Sequence, residues 1–180
     1  MTAPALFSPA WLEPRKPLLR AITIGNVSWL GACAAAFALW PEVTLKSGPA
    51  ERLAFAAELA VAPAAVGLLV LASCLRLFDS ERAEDPFAGG ESRAWQINQR
   101  VLQNTLEQAF IFLPPLFALA LRIDERQLRV LPIAVSLWCM GRLFFWVGYR
   151  KALIWRAPGF DWTLNTALLV IGWYVTTLFL

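Results

Sequence analysis

Residues 101–121, VLQNTLEQAFIFLPPLFALAL, hold one charged side chain, Glu107, in 21 positions. A helix needs about 20 mostly apolar residues to cross roughly 30 Å of hydrocarbon, so this stretch has the length and character of a membrane crossing. The same pattern recurs on either side, at 21–41, 53–75, 130–149 and 162–180. The five stretches contain 104 of the 180 residues but, of 29 charged side chains, only Glu58, Glu107 and Arg142. Globular chains average roughly 45–50% apolar and about 25% charged residues. At 58% and 16% this one lies outside that range. The expected fold class is an all-α integral membrane protein with five crossings, and a soluble enzyme is excluded.

Composition removes further chemistries. The chain has no histidine, which excludes Ser-His and Cys-His nucleophile pairs, HExxH zinc sites and His-ligated haem. Cys33, Cys74 and Cys139 lie in three different apolar stretches and form no CxxC, so neither a disulfide framework nor a thiolate metal site is expected. The run from Ala21 to Pro41 exceeds the 7–15 apolar residues of a signal peptide and reads as an uncleaved anchor. Asn26-Val-Ser28 has the form of a glycosylation sequon but falls inside that anchor.

Orientation follows from Lys and Arg in alternate loops. With the N-terminus inside, the inner side holds ten: Arg15, Lys16, Arg20, Arg76, Arg82, Arg93, Arg100, Arg150, Lys151 and Arg156. The outer side holds five: Lys46, Arg52, Arg122, Arg126 and Arg129. The bias predicts a cytoplasmic N-terminus and an external C-terminus, with a bacterial inner membrane as the expected location, and it explains the net charge of +3 without nucleic acid. Trp11, Trp40, Trp95, Trp155 and Trp162 fall near predicted helix ends, as interfacial anchors do. Pro63 and Pro114-Pro115 are expected to kink the second and third crossings.

Function is sought where polar groups enter the membrane, since a charge at a helix centre costs about 2.5–3.5 kcal/mol on insertion scales. Arg100, Asn104 and Glu107, at i, i+4 and i+7, share one face of the third helix. Arg142, Trp146 and Tyr149 have equivalent spacing on the fourth. At about 1.5 Å per residue, Glu107 and Arg142 lie at one depth, roughly 10 Å from the cytoplasmic ends of their helices. Two readings are open there: an ion pair that sets helix register, or a ligand site. Glu58, about 8 Å below the outer surface, is read as structural, either neutral or reaching toward water.

These blocks carry a resemblance. Arg100-Val-Leu-Gln-Asn104-Thr-Leu-Glu107, followed by Gln-Ala-Phe-Ile-Phe-Leu-Pro, resembles the signature helix of the MAPEG family, the membrane-associated proteins in eicosanoid and glutathione metabolism. Arg142-Leu-Phe-Phe-Trp-Val-Gly-Tyr149, then six residues and Arg156-Ala-Pro, is similar to that family's third helix and the turn after it. The resemblance covers about 53–180 and implies a MAPEG-like four-helix domain there, with 1–52 an N-terminal segment adding a further transmembrane helix. It also implies a homotrimer with glutathione as cosubstrate in a cytoplasm-facing cleft between neighbouring subunits. Arg100, Asn104, Glu107, Arg142 and Tyr149 would bind the tripeptide, with Arg156 matching the thiol-activating arginine. Arg76, in Ser-Cys-Leu-Arg-Leu-Phe, is a looser match to a basic residue of the family's first helix. Two features depart from the family pattern: the added helix, and Gln108 where some catalytic members have tyrosine.

The residue types suit this chemistry. Glutathione presents two carboxylates, an ammonium and a thiol; guanidinium forks bind carboxylates bidentately, and Glu107 suits the ammonium. A free thiol has a pKa of about 8.5, and an adjacent arginine lowers it toward the nucleophilic thiolate. The implied function is a glutathione-dependent transferase or peroxidase acting on hydrophobic electrophiles or lipid hydroperoxides that arrive from the bilayer. A non-catalytic lipid-binding protein of the same fold and a structural subunit of a larger membrane complex are the alternatives.

Overall fold

A computed structural model of the chain describes residues 13–43, 48–79, 85, 87 and 89–179. Six α-helices run through them: α1 (Lys16–Leu39), α2 (Pro49–Leu59), α3 (Val61–Ala72), α4 (Arg93–Arg122), α5 (Val130–Lys151) and α6 (Arg156–Thr176). The described residues contain no strand. Lys46 and Arg82, which contributed to the expected orientation, and Trp11, an expected interfacial anchor, lie outside them.

Four helical segments are long and apolar enough to cross a membrane: Glu13–Leu39, Pro49–Ala72, Arg93–Arg122 and Glu125–Lys151. The chain is thus a multi-pass membrane protein. The fifth expected crossing, 162–180, corresponds to α6, which begins six residues earlier. Its 21 residues reach roughly 31 Å, but Asp161, Thr163, Asn165 and Thr166 lower the apolarity of its first half. Asp161, Thr163 and Thr166 are nonetheless buried, because α6 is the central helix and packs against α5, α1 and α4.

The prolines act differently. Pro63 has no N–H for the Leu59 carbonyl and its ring crowds that turn, and the second crossing divides at Ala60 into α2 and α3. At Pro114 and Pro115 the helix continues, so that α4 spans 30 residues. Its first two turns, 93–100, precede the apolar stretch and are capped by Ser92, whose Oγ accepts from the Trp95 N–H at 3.1 Å.

The N-terminal helix α1 is bonded to α6 through polar groups. Asn165 Nδ2 donates to Asn26 Oδ1 at 2.7 Å, Trp162 Nε1 to Ser28 Oγ at 3.0 Å, and Trp29 Nε1 to Thr166 Oγ1 at 3.0 Å. Asn26 and Ser28, the two polar residues of the sequon, are therefore part of the α1–α6 contact. Away from it, α1 exposes Leu19, Ile24, Val27 and Leu30, as suits a helix with lipid on its outer side. The main apolar core lies at the other end of the bundle, where Phe112, Leu116, Leu119, Leu128, Leu131 and Trp138 are buried together.

Candidate functional site

The α5–α6 connection is unusually tight, and small residues permit it. A Cβ on Gly148 would collide with the Trp155 carbonyl oxygen, and one on Gly159 with the Phe145 backbone nitrogen. With both positions reduced to hydrogen, α6 starts directly beside the end of α5. Arg156 then folds back so that its guanidinium carbon is 5.0 Å from the centre of the Tyr149 ring, within cation–π range.

Beside this corner is a cleft of about 470 Å³, a volume within the usual range for small-molecule sites. Its wall from α4 carries Arg100, Gln103, Asn104 and Glu107; Phe145 and Tyr149 come from α5, and Arg156, Ala157, Phe160 and Asp161 from α6. Leu18 and Ile22 of α1 complete it. Five of the seven candidate residues thus share one lining.

Arg142 lies behind that lining at 1% exposure. Its Nη1 donates to Asn104 Oδ1 at 3.0 Å and to Thr163 Oγ1 at 3.5 Å, and its guanidinium carbon sits 4.2 Å from the centre of the Phe145 ring. Asn104 in turn donates from Nδ2 to Glu107 Oε2 at 3.4 Å, while Gln103 Nε2 donates to Glu107 Oε1 at 3.1 Å. Glu107 and Arg142 therefore form no direct ion pair; the Asn104 amide joins them. Among the described residues the ion pairs are Lys16–Glu13 and Arg76–Glu91. The relay leaves the Glu107 carboxylate exposed and a positive charge fixed behind the wall. Two Arg142 donors, Nε and Nη2, are buried without a protein partner.

Other expectations separate from the cleft. Trp146 points away from it and donates from Nε1 to Asn98 Oδ1 at 2.9 Å, while Asn98 Nδ2 donates to the Ser73 carbonyl at 3.0 Å, tying α5 and α4 to the end of α3. Arg76 does not line the cleft; its Nη2 meets Glu91 Oε1 at 3.0 Å and its guanidinium carbon is 4.5 Å from the centre of a Trp95 ring. Gln108 is buried outside the lining, with Oε1 unpaired. Glu58 is exposed on α2.

Sequence reasoning missed Gln103, Asp161, Leu18, Ile22 and Phe160. Gln103 sits one turn before Glu107 on the face already singled out and was legible there. Asp161 was placed outside the helices, although Pro158, which favours a first turn, marks a helix beginning near Arg156. It is 9% exposed, and its Oδ2 has no hydrogen-bond partner. A Cβ on Gly25 would stand 2.6 Å from that oxygen, so the carboxylate occupies the space of the missing side chain on α1. No local pattern could have revealed Leu18 and Ile22, because only the docking of α1 brings them here. Compared with known proteins, the chain matches no family model and no curated sequence.

Proposed function

We propose that this chain is a MAPEG-like, glutathione-dependent transferase or peroxidase of the membrane, using hydrophobic electrophiles or lipid hydroperoxides as second substrates. The observation that carries the reading is the shared lining of Arg100, Asn104, Glu107, Tyr149 and Arg156, with Arg142 bonded to Asn104 behind it. These residues offer a zwitterionic tripeptide what it requires. Arg100 supplies a guanidinium for a carboxylate, and Glu107, held between Gln103 and Asn104, supplies an anion for the ammonium. Arg156, kept in place by the Tyr149 ring, supplies the positive charge that favours thiolate over thiol.

The second substrate needs an apolar approach, and Leu18, Ile22, Phe145 and Phe160 provide one beside the charged groups. The N-terminal helix thus acquires a role as a wall of the site. A cytoplasmic N-terminus would place the Arg100–Arg156 end where glutathione is supplied, and the family resemblance implies a homotrimer.

Calorimetric titration of the detergent-purified chain with glutathione tests the reading, followed by conjugation of glutathione to a generic aryl halide. Saturable binding and turnover are expected. Binding without turnover would favour the non-catalytic lipid-binding alternative, and no binding at millimolar glutathione would remove the proposal.

A further inference from the structure

A second concavity, of about 630 Å³, opens where the first turns of α4 meet the end of α5. It is lined by four cations, Arg93 and Arg100 of α4 and Arg150 and Lys151 of α5, and by no carboxylate. None of the four takes part in an ion pair among the described residues. Ile97 and Leu153 give it an apolar side, and Tyr149 and Gln96 add groups able to hydrogen-bond. Arg93, Gln96, Ile97 and Arg100 follow i, i+3, i+4, i+7 spacing, so this face of α4 is turned as a unit toward the end of α5.

Membrane orientation accounts for basic residues on one side of a bilayer but does not require them to converge around a concavity. Four like charges facing one space repel one another, and an anion seated among them relieves that repulsion. We propose that this concavity is a binding site for a phosphate-bearing anion, at the end of the bundle where the candidate glutathione cleft also opens. Basic hollows between transmembrane helices at the headgroup level suit phospholipid phosphates, with the Ile97–Leu153 side against the glycerol and upper acyl chain. A free phosphate offers the same chemistry without those apolar contacts.

The site shares Arg100 and Tyr149 with the cleft but does not depend on the function assigned to it, and its test uses the three cations that the cleft lacks. The full chain in mixed micelles is titrated with dioleoyl-phosphatidylglycerol or dioleoyl-phosphatidylcholine, and bound lipid is counted by native mass spectrometry. Wild-type protein should retain the anionic lipid at least tenfold better. The triple variant Arg93→Gln, Arg150→Gln, Lys151→Gln should lose that preference, whereas Arg93→Lys with Arg150→Lys should keep it, which separates charge from misfolding. Displacement of the anionic lipid by millimolar inorganic phosphate would assign the site to free phosphate, and no displacement to the lipid headgroup. Equal retention of both lipids by wild-type protein, or an unchanged preference in the triple variant, would overturn the proposal. Glutathione titration of the same triple variant should match wild type, so the two sites can fail independently.

Discussion

Helices α4 and α5 are built from opposite materials at their two ends. Toward the α4–α5 turn, Phe112, Leu116, Leu119, Leu128, Leu131 and Trp138 are buried, and the Phe112 and Trp138 rings stack with centroids 5.5 Å apart. At the other end the same helices present Arg93, Arg100, Asn104, Glu107, Tyr149 and Arg150 around open space. In a bilayer, lipid tails solvate apolar side chains almost as well as a protein core does, so the first end holds together by close packing. The second keeps charged groups apart that could have been paired or replaced. One end supports the fold, and the other carries the groups available to a ligand.

The contrast breaks most visibly at Phe112. Phe112→Ala should destabilise the chain by about 3–5 kcal/mol through the cavity it leaves, whereas Phe110→Ala, at a position 81% exposed, should cost far less. Unfolding titrations in mixed micelles read both values. Neither change should alter glutathione affinity, and a loss of affinity in Phe112→Ala would mean that the two ends are coupled.

At the open end the order reverses. Glu107→Gln keeps the size but removes the charge offered to an ammonium, and should weaken glutathione binding by about 1–3 kcal/mol with stability unchanged. The absence of a Glu107–Arg142 ion pair sharpens this expectation, because the residue retains an exposed carboxylate. Calorimetry of the variant checks it, and a fall in stability with intact affinity would return Glu107 to a structural role.

Arg156→Ala should slow conjugation about tenfold or more, roughly 1.4 kcal/mol, and Arg156→Lys should restore part of the rate. The sign with pH is determined by the charge. A nearby cation lowers the bound thiol's pKa, so thiolate is already present at lower pH, and its removal should move the rising limb of the rate profile to higher pH. Thiolate absorbance over a pH series measures the shift, and an unmoved profile would leave Arg156 as one of the orienting basic residues.

The smallest effect should come from the α1–α6 ladder. Interhelical hydrogen bonds in membranes average about 0.6 kcal/mol, so Asn165→Ala should lower stability by roughly that amount. A larger effect would mean that α1 is as integral to the fold as the packed end.

The chain's own pattern determined the helical class, four of the crossings and the face carrying Arg100, Asn104 and Glu107. All of these follow from local regularities, since an apolar run must satisfy its backbone internally and a helix returns every 3.6 residues to one side. Glu107 and Tyr149 were legible for that reason, whereas Arg156 was singled out only by the family resemblance. The tertiary structure decided which of the polar residues meet. Trp146 shares its face with Arg142 and Tyr149 by spacing, yet it turns to Asn98. Asp161 was legible as a charge, but its seat against Gly25 depends on two helices more than 130 residues apart in the chain docking side by side. The Asn104 link between Arg142 and Glu107 needed distances that periodicity does not contain. Spacing along a helix determines direction, whereas contact depends on how closely neighbouring helices approach, as Gly148 and Gly159 show between α5 and α6.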